Sequence, residues 1–160
     1  MKVLLLLLLI AVPEFVSAAT LSCPCKVVEV SDGDTVFVLD QHRSSRKIWL
    51  LGIDAPQLRQ HYGEHSRQNL IKLVANEYVN VEYGKRDRYG RIIGKLLKEG
   101  LDINLQQVRD GYAWHYKLKA DEQSRQDFAV YSNAEKEAKQ KRKGLWSSAS
   151  IPPWEFRKLP

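Results

Sequence analysis

The chain has 160 residues, a formal net charge of +6 and two cysteines. That length makes one domain the default, and Cys23 and Cys25, one residue apart, exclude a disulfide-stapled scaffold or a cysteine-rich zinc site. Beyond the first twenty residues nothing is apolar enough to span a bilayer, so no stable membrane association is expected, and the basic excess points to a polyanionic partner.

In chain order, Lys2 opens a run of ten apolar residues over 3–12, which Pro13 and Glu14 break before the small residues Ser17-Ala18-Ala19. Ten is too short for a permanent spanning helix and fits a cleaved signal peptide over 1–19. A single domain over 20–160 follows, and the protein is expected to be secreted or periplasmic. Lys2 and Glu14 cancel, so removing the leader leaves the charge unchanged. Segments 26–30 and 35–39 are rich in β-branched and aromatic residues, and Asp32-Gly33 between them signals a hairpin turn. Residues 47–53 read as a third strand, 66–76 as a helix with Leu70, Leu73 and Val74 on one face, and 78–83 and 91–97 as two more strands. Residues 101–109 form a short helix stopped at Gly111. Residues 123–143 form a longer one, with Phe128, Tyr131, Ala134 and Ala138 inward and Gly144 as its end. Five short strands with three helices predict an α+β fold, a five-stranded barrel of the OB type.

Three short motifs carry chemistry. Asp32-Gly33-Asp34-Thr35 and Ile53-Asp54-Ala55-Pro56 place carboxylates at the ends of apolar, strand-like runs, and Asp87-Arg88-Tyr89-Gly90-Arg91 adds a guanidinium. Grouped carboxylates bind a hard cation and an arginine binds phosphate, so the set points to metal-assisted phosphodiester chemistry. Trp114 and His115, after the first of the two later helices, read as packing residues.

These motifs, in this order, together with Gly111-Tyr112-Ala113-Trp114 and Gly144-Leu145-Trp146, resemble the staphylococcal nuclease (thermonuclease) family across nearly the whole mature chain. The resemblance implies an OB barrel and a calcium-dependent phosphodiesterase acting on DNA and RNA, expected as a monomer. It assigns Ca2+ to the carboxylates of Asp34 and Asp54 and to the backbone carbonyl of Ala55. It assigns phosphate binding to Arg91, and places Arg88 and Tyr89 near the bound nucleotide.

Two positions depart from the family pattern. Five residues before the second ligand aspartate the family has an arginine, and this chain has Trp49. Directly after the proline it has a glutamate, and this chain has Gln57. Trp49 offers no charged fork to phosphate oxygens, and Gln57 orients a water but cannot take its proton. A general base is worth roughly 10²–10⁴ in rate, and a donor aimed at developing charge roughly 10²–10³. A nuclease of reduced efficiency survives such losses. The alternative they leave open is an OB-fold protein, weakly catalytic or inactive, that holds nucleic acid without cutting it. Lys47, His61, Glu64 and His65 are the nearby side chains available as replacements.

Overall fold

The computed structural model describes residues 19–20 and 24–159. Apart from Ala19, the expected leader lies outside these residues, as does Cys23. Strands β1 (Ala19–Thr20), β2 (Cys25–Asp32), β3 (Thr35–Leu39) and β4 (Ser45–Leu50) precede the two-residue β5 (Ile53–Asp54) and helix α1 (Gly63–Val74). Strands β6 (Tyr78–Arg86), β7 (Ile92–Lys98) and β8 (Leu101–Asp102) lead to α2 (Ile103–Arg109), β9 (Trp114–His115), α3 (Arg125–Gln140) and the short α4 (Pro153–Phe156).

The barrel closes through five strands. β2 pairs with β3, β3 with β4, β4 with β7, β7 with β6, and β6 returns to β2. All pairings are antiparallel except β4–β7. That parallel step is what α1 makes possible, because parallel neighbours need a long crossover. Val27, Val36, Val38, Ile48, Leu50, Val81, Ile92 and Leu96 fill the interior and are all but inaccessible. The expected OB-type α+β barrel is therefore present. Its three longer helices are joined by α4, a single turn.

Local differences from the sequence reading have physical causes. The third strand does not run through to residue 53. It stops at Leu50, turns through Gly52 at φ 76, and resumes as β5 off the barrel, paired with β9. Only glycine takes that φ without strain. The turn sends Asp54 away from the barrel wall and into register with Trp114. Asp102 leaves the expected helix start to pair with Leu97, and its carboxylate caps α2 by accepting the Leu105 N–H at 2.9 Å. Tyr131 of α3 donates to the same carboxylate at 2.9 Å.

The β2–β3 turn is formed by Gly33 and Asp34 rather than by Asp32 and Gly33. Gly33 is needed for close approach, not for a left-handed backbone. A Cβ there would stand 1.8 Å from the Ser66 Oγ of α1 and 2.8 Å from the Ala55 Cβ. Its carbonyl accepts from the buried Gln107 Nε2 of α2 at 2.7 Å, and Gln107 Oε1 accepts in turn from Asn69 at 2.7 Å. A second buried amide, Asn104, donates to the carbonyls of Leu51 and Gly94, both at 3.1 Å. Two side chains of α2 thus clamp the turn that carries Asp34 and the end of β4. Substituting Gly33→Ala is expected to lower stability by about 1–3 kcal/mol, the usual range for overpacking. Urea unfolding of the variant, with an unchanged denaturant slope, checks this.

Candidate active site

Asp34 and Asp54 reach one cleft from different elements. Asp34 ends the β2–β3 turn and Asp54 ends β5. One bond ties them together: the Ala55 N–H donates to Asp34 Oδ2 at 2.7 Å. Thr35 Oγ1 donates to the other oxygen at 2.9 Å, and the Asp34 N–H donates to Asp32 Oδ1 at 3.1 Å. Asp34 is 5 % exposed and Asp54 is fully buried. The cleft they share has a volume of about 250 Å³ and is lined by Asp32, Asp34, Thr35, Trp49, Asp54, Gln57, Arg91 and Arg157.

Three carboxylates in one cleft raise the cost of ionisation. Burial pushes Asp34 well above the usual carboxylate range, and the charges of Asp32 and Asp54 push the same way, against the Ala55 N–H. Burial also raises Asp54, which Arg157 partly offsets. Asp54 is held by both arms of Arg157, with Nη1 donating to Oδ1 at 3.0 Å and Nη2 to Oδ2 at 2.7 Å.

Arg91 sits at the foot of the 87–91 turn. Asp87 organises that turn, accepting the N–H groups of Tyr89 and Arg91 on one oxygen, each at 2.9 Å, and the Arg91 side chain on the other at 2.5 Å. Burial pushes the Asp87 carboxyl up, but these donors outweigh it and hold it below its ordinary value. The Arg91 guanidinium also lies 4.7 Å from the centre of the Trp49 ring. Trp49 and Arg91 are brought together by the parallel β4–β7 pairing, which sets Trp49 opposite Ile93. Trp49 is thus a bed for the arginine.

A second cleft, about 400 Å³, shares Trp49 and Arg91 with the first and continues past Arg88, Tyr89, Tyr116, Lys85 and Lys119. Tyr89 is 69 % exposed, with Arg88 stacked 4.8 Å from its ring centre. Every site residue expected from the sequence therefore lines one of these two adjoining clefts or, in the case of Ala55, donates its N–H into the first.

The proposed replacements are elsewhere. Lys47 lies over the Phe37 ring at 5.3 Å. Glu64 accepts from Arg67 and Gln68 of its own helix, and His61 lies 3.3 Å from the Ser148 hydroxyl. None of these lines the acidic cleft. Trp114 and His115 are packing residues: His115 is 1 % exposed, between Ser132 and Gln123. The residue that sequence reasoning missed is Arg157, which follows directly on the aromatic tail 151–156.

Among the described residues no three His, Cys, Asp or Glu side chains converge to hold a metal on their own. Asp34 and Asp54 are hard oxygen donors, and the bonds they already accept leave lone pairs on all four oxygens. Such a donor set, completed by a carbonyl and water, fits a calcium-like cation. Among the described residues no helix is long and apolar enough to cross a membrane.

The family described as Staphylococcal nuclease homologue matches residues 47–148. An uncharacterized endonuclease of Escherichia coli is 43% identical over 134 residues, covering 82% of this chain and 83% of the relative. An uncharacterized endonuclease of Haemophilus influenzae is 32% identical over 158 residues, covering 98% and 85%. A probable staphylococcal-like nuclease of Oryza sativa is 33% identical over 134 residues, which cover 83% of this chain and 32% of that longer protein. With the barrel, the paired carboxylates and the arginine-bearing turn in place, the chain belongs to the staphylococcal nuclease family and is a nuclease, a hydrolase whose substrate is nucleic acid.

Proposed function

We propose that the protein is an exported, monomeric, calcium-dependent nuclease that hydrolyses phosphodiester bonds of DNA, RNA or both, with an efficiency lowered by Trp49 and Gln57. The observation that carries this reading is the placement of Asp34 and Asp54 side by side in one cleft with the guanidinium of Arg91. The leader sequence supports export, and the +6 charge suits a polyanionic substrate.

Asp34, Asp54 and the Ala55 carbonyl would hold the cation, which when bound polarises a phosphoryl oxygen and makes water more acidic. Arg91, steadied by Asp87 and Trp49, binds the phosphate and meets charge as it builds. Gln57 lies on the cleft wall, where its amide orients the attacking water by hydrogen bonding but leaves the proton to solvent. Tyr89 and Arg88, in the adjoining cleft, offer an aromatic face and a cation to the nucleotide.

Purified protein is expected to digest single-stranded DNA or RNA in calcium and to stop on chelation. Asp34→Asn should lower the rate by about 10²-fold or more, as for other groups acting on developing charge. Binding measured under chelation should persist and weaken steeply with salt. Binding without cleavage at any calcium concentration would return the chain to the class of binding modules.

The stacking of Arg91 on Trp49 also changes what substitution should do. An arginine at 49 would set like charge beside Arg91, so a gain is assigned to Gln57→Glu alone. That variant should cleave about tenfold faster or more, a gain that can fall short of the roughly 10²–10⁴ of a fully positioned general base. Trp49→Ala should cleave about two- to thirty-fold more slowly, matching the ~0.5–2 kcal/mol of a cation–π contact. Single-turnover rates of both variants at saturating calcium measure this.

A further inference from the structure

Arg157 comes from the far end of the chain and lines the acidic cleft without having been singled out by the sequence reading. The segment that brings it is anchored at several points. Gln60 Nε2 donates to the Ile151 carbonyl at 2.6 Å, and Pro153 is buried. The Trp154 ring packs edge-on to Trp114 at 6.4 Å and against Tyr116 at 5.5 Å, while Arg59 lies over Phe156 at 5.8 Å. Trp154 and Arg157 are three residues apart on one helical turn and so share a face. Trp114 stands opposite Asp54 in the β5–β9 pair. Packing Trp154 on Trp114 therefore carries Arg157 to Asp54.

The ion pair is unequal. The Asp54 side chain is fully buried, while that of Arg157 remains 39% exposed. The guanidinium is thus an outer layer between a buried carboxylate and the open cleft. Asp54 takes two of its five N–H groups, leaving three. Fork pairing also fixes the guanidinium plane, so the remaining donors are held in place before any ligand arrives.

We propose that Arg157 is a phosphate-binding residue of this nuclease, supplying from the C-terminal segment the second guanidinium that Trp49 does not provide. The inference rests on the nuclease reading of the same cleft. Asp54 then has two functions, as a cation ligand and as the mount for Arg157. Arg91, from the middle of the chain, and Arg157, from its C-terminal segment, line the same cleft and grip the substrate phosphate between them.

The test uses the full chain, a single-stranded oligothymidylate, and the variants Arg157→Ala, Arg157→Lys and Lys158→Ala. Lys158 is an exposed control that pairs with Glu155. In calcium, Arg157→Ala should lose about 10²-fold in kcat/KM, the usual effect of removing one charge-stabilising donor. Millimolar guanidinium should restore part of that loss, without stimulating the parent. Under chelation the same variant should bind the oligothymidylate more weakly. Its log–log salt slope should be shallower by about 0.7, one phosphate contact on a single strand. Arg157→Lys, which keeps the charge but not the fork, should fall between the two, and Lys158→Ala should match the parent. Unchanged salt slope and no rescue by guanidinium, alongside a changed tryptophan emission from the Trp114–Trp154 contact, would make Arg157 a structural clasp and overturn the proposal. Faster cleavage by Arg157→Ala would overturn it too, by showing that the arginine blocks the cleft. If Arg157→Ala does not fold, Arg157→Lys decides alone: parent-like kinetics and salt slope refute the role. A parent that binds but never cleaves refutes the nuclease reading, while the salt slope still decides whether Arg157 holds phosphate.

Discussion

The hydrogen bond from the Ala55 N–H to Asp34 holds two buried carboxylates together at the mouth of the barrel. Placing like charges side by side away from water is unfavourable, and burial raises both carboxyls above their ordinary values. Much of the surrounding structure answers that constraint. Gln107 and the absent side chain of Gly33 hold the turn below Asp34 against α1. The β5–β9 pair holds Asp54 from the other side, and Arg157 neutralises it directly. A divalent cation held by Asp34 and Asp54 would relieve the remaining repulsion.

The two arginines of the cleft are handled alike although they arrive by different routes. Each is paired to an aspartate, Arg91 to Asp87 and Arg157 to Asp54. Each also depends on a tryptophan, Arg91 through direct stacking on Trp49 and Arg157 through the packing of Trp154 on Trp114. A long flexible side chain loses rotamer freedom when it grips a ligand, and pairing in advance reduces that loss. The basic end of α3 is different. Lys139 and Lys141 pair with Glu135 and Glu137 of their own helix.

Much of the fold was legible because its signals are local. Alternating apolar residues placed the five barrel strands to within a few positions, and helical spacing placed α1, α2 and α3. What was misread turned on contacts across the chain. The break at Gly52 follows from β5 finding a partner in β9, sixty residues later. Asp102 was absorbed into a helix because nothing nearby shows that it pairs with Leu97 and receives Tyr131.

For the site, the sequence by itself determined the chemical inventory: Asp34, Asp54 and Arg91 in motifs whose spacing relative to the strands sends them to one end of the barrel. It also determined the two departures, Trp49 and Gln57, since residue identity alone says that neither donates a charged fork or accepts a proton. Only the tertiary structure decided what Trp49 does, because its partner Arg91 is reached through a parallel strand pairing rather than through sequence proximity. Only the tertiary structure brought Arg157 to Asp54, across a separation of 103 residues. Motif spacing reports on residues that share a strand, a turn or a helix face. A contact made by a tail folding back over the barrel depends on packing between surfaces distant in the chain, and that packing leaves no periodic trace in the sequence.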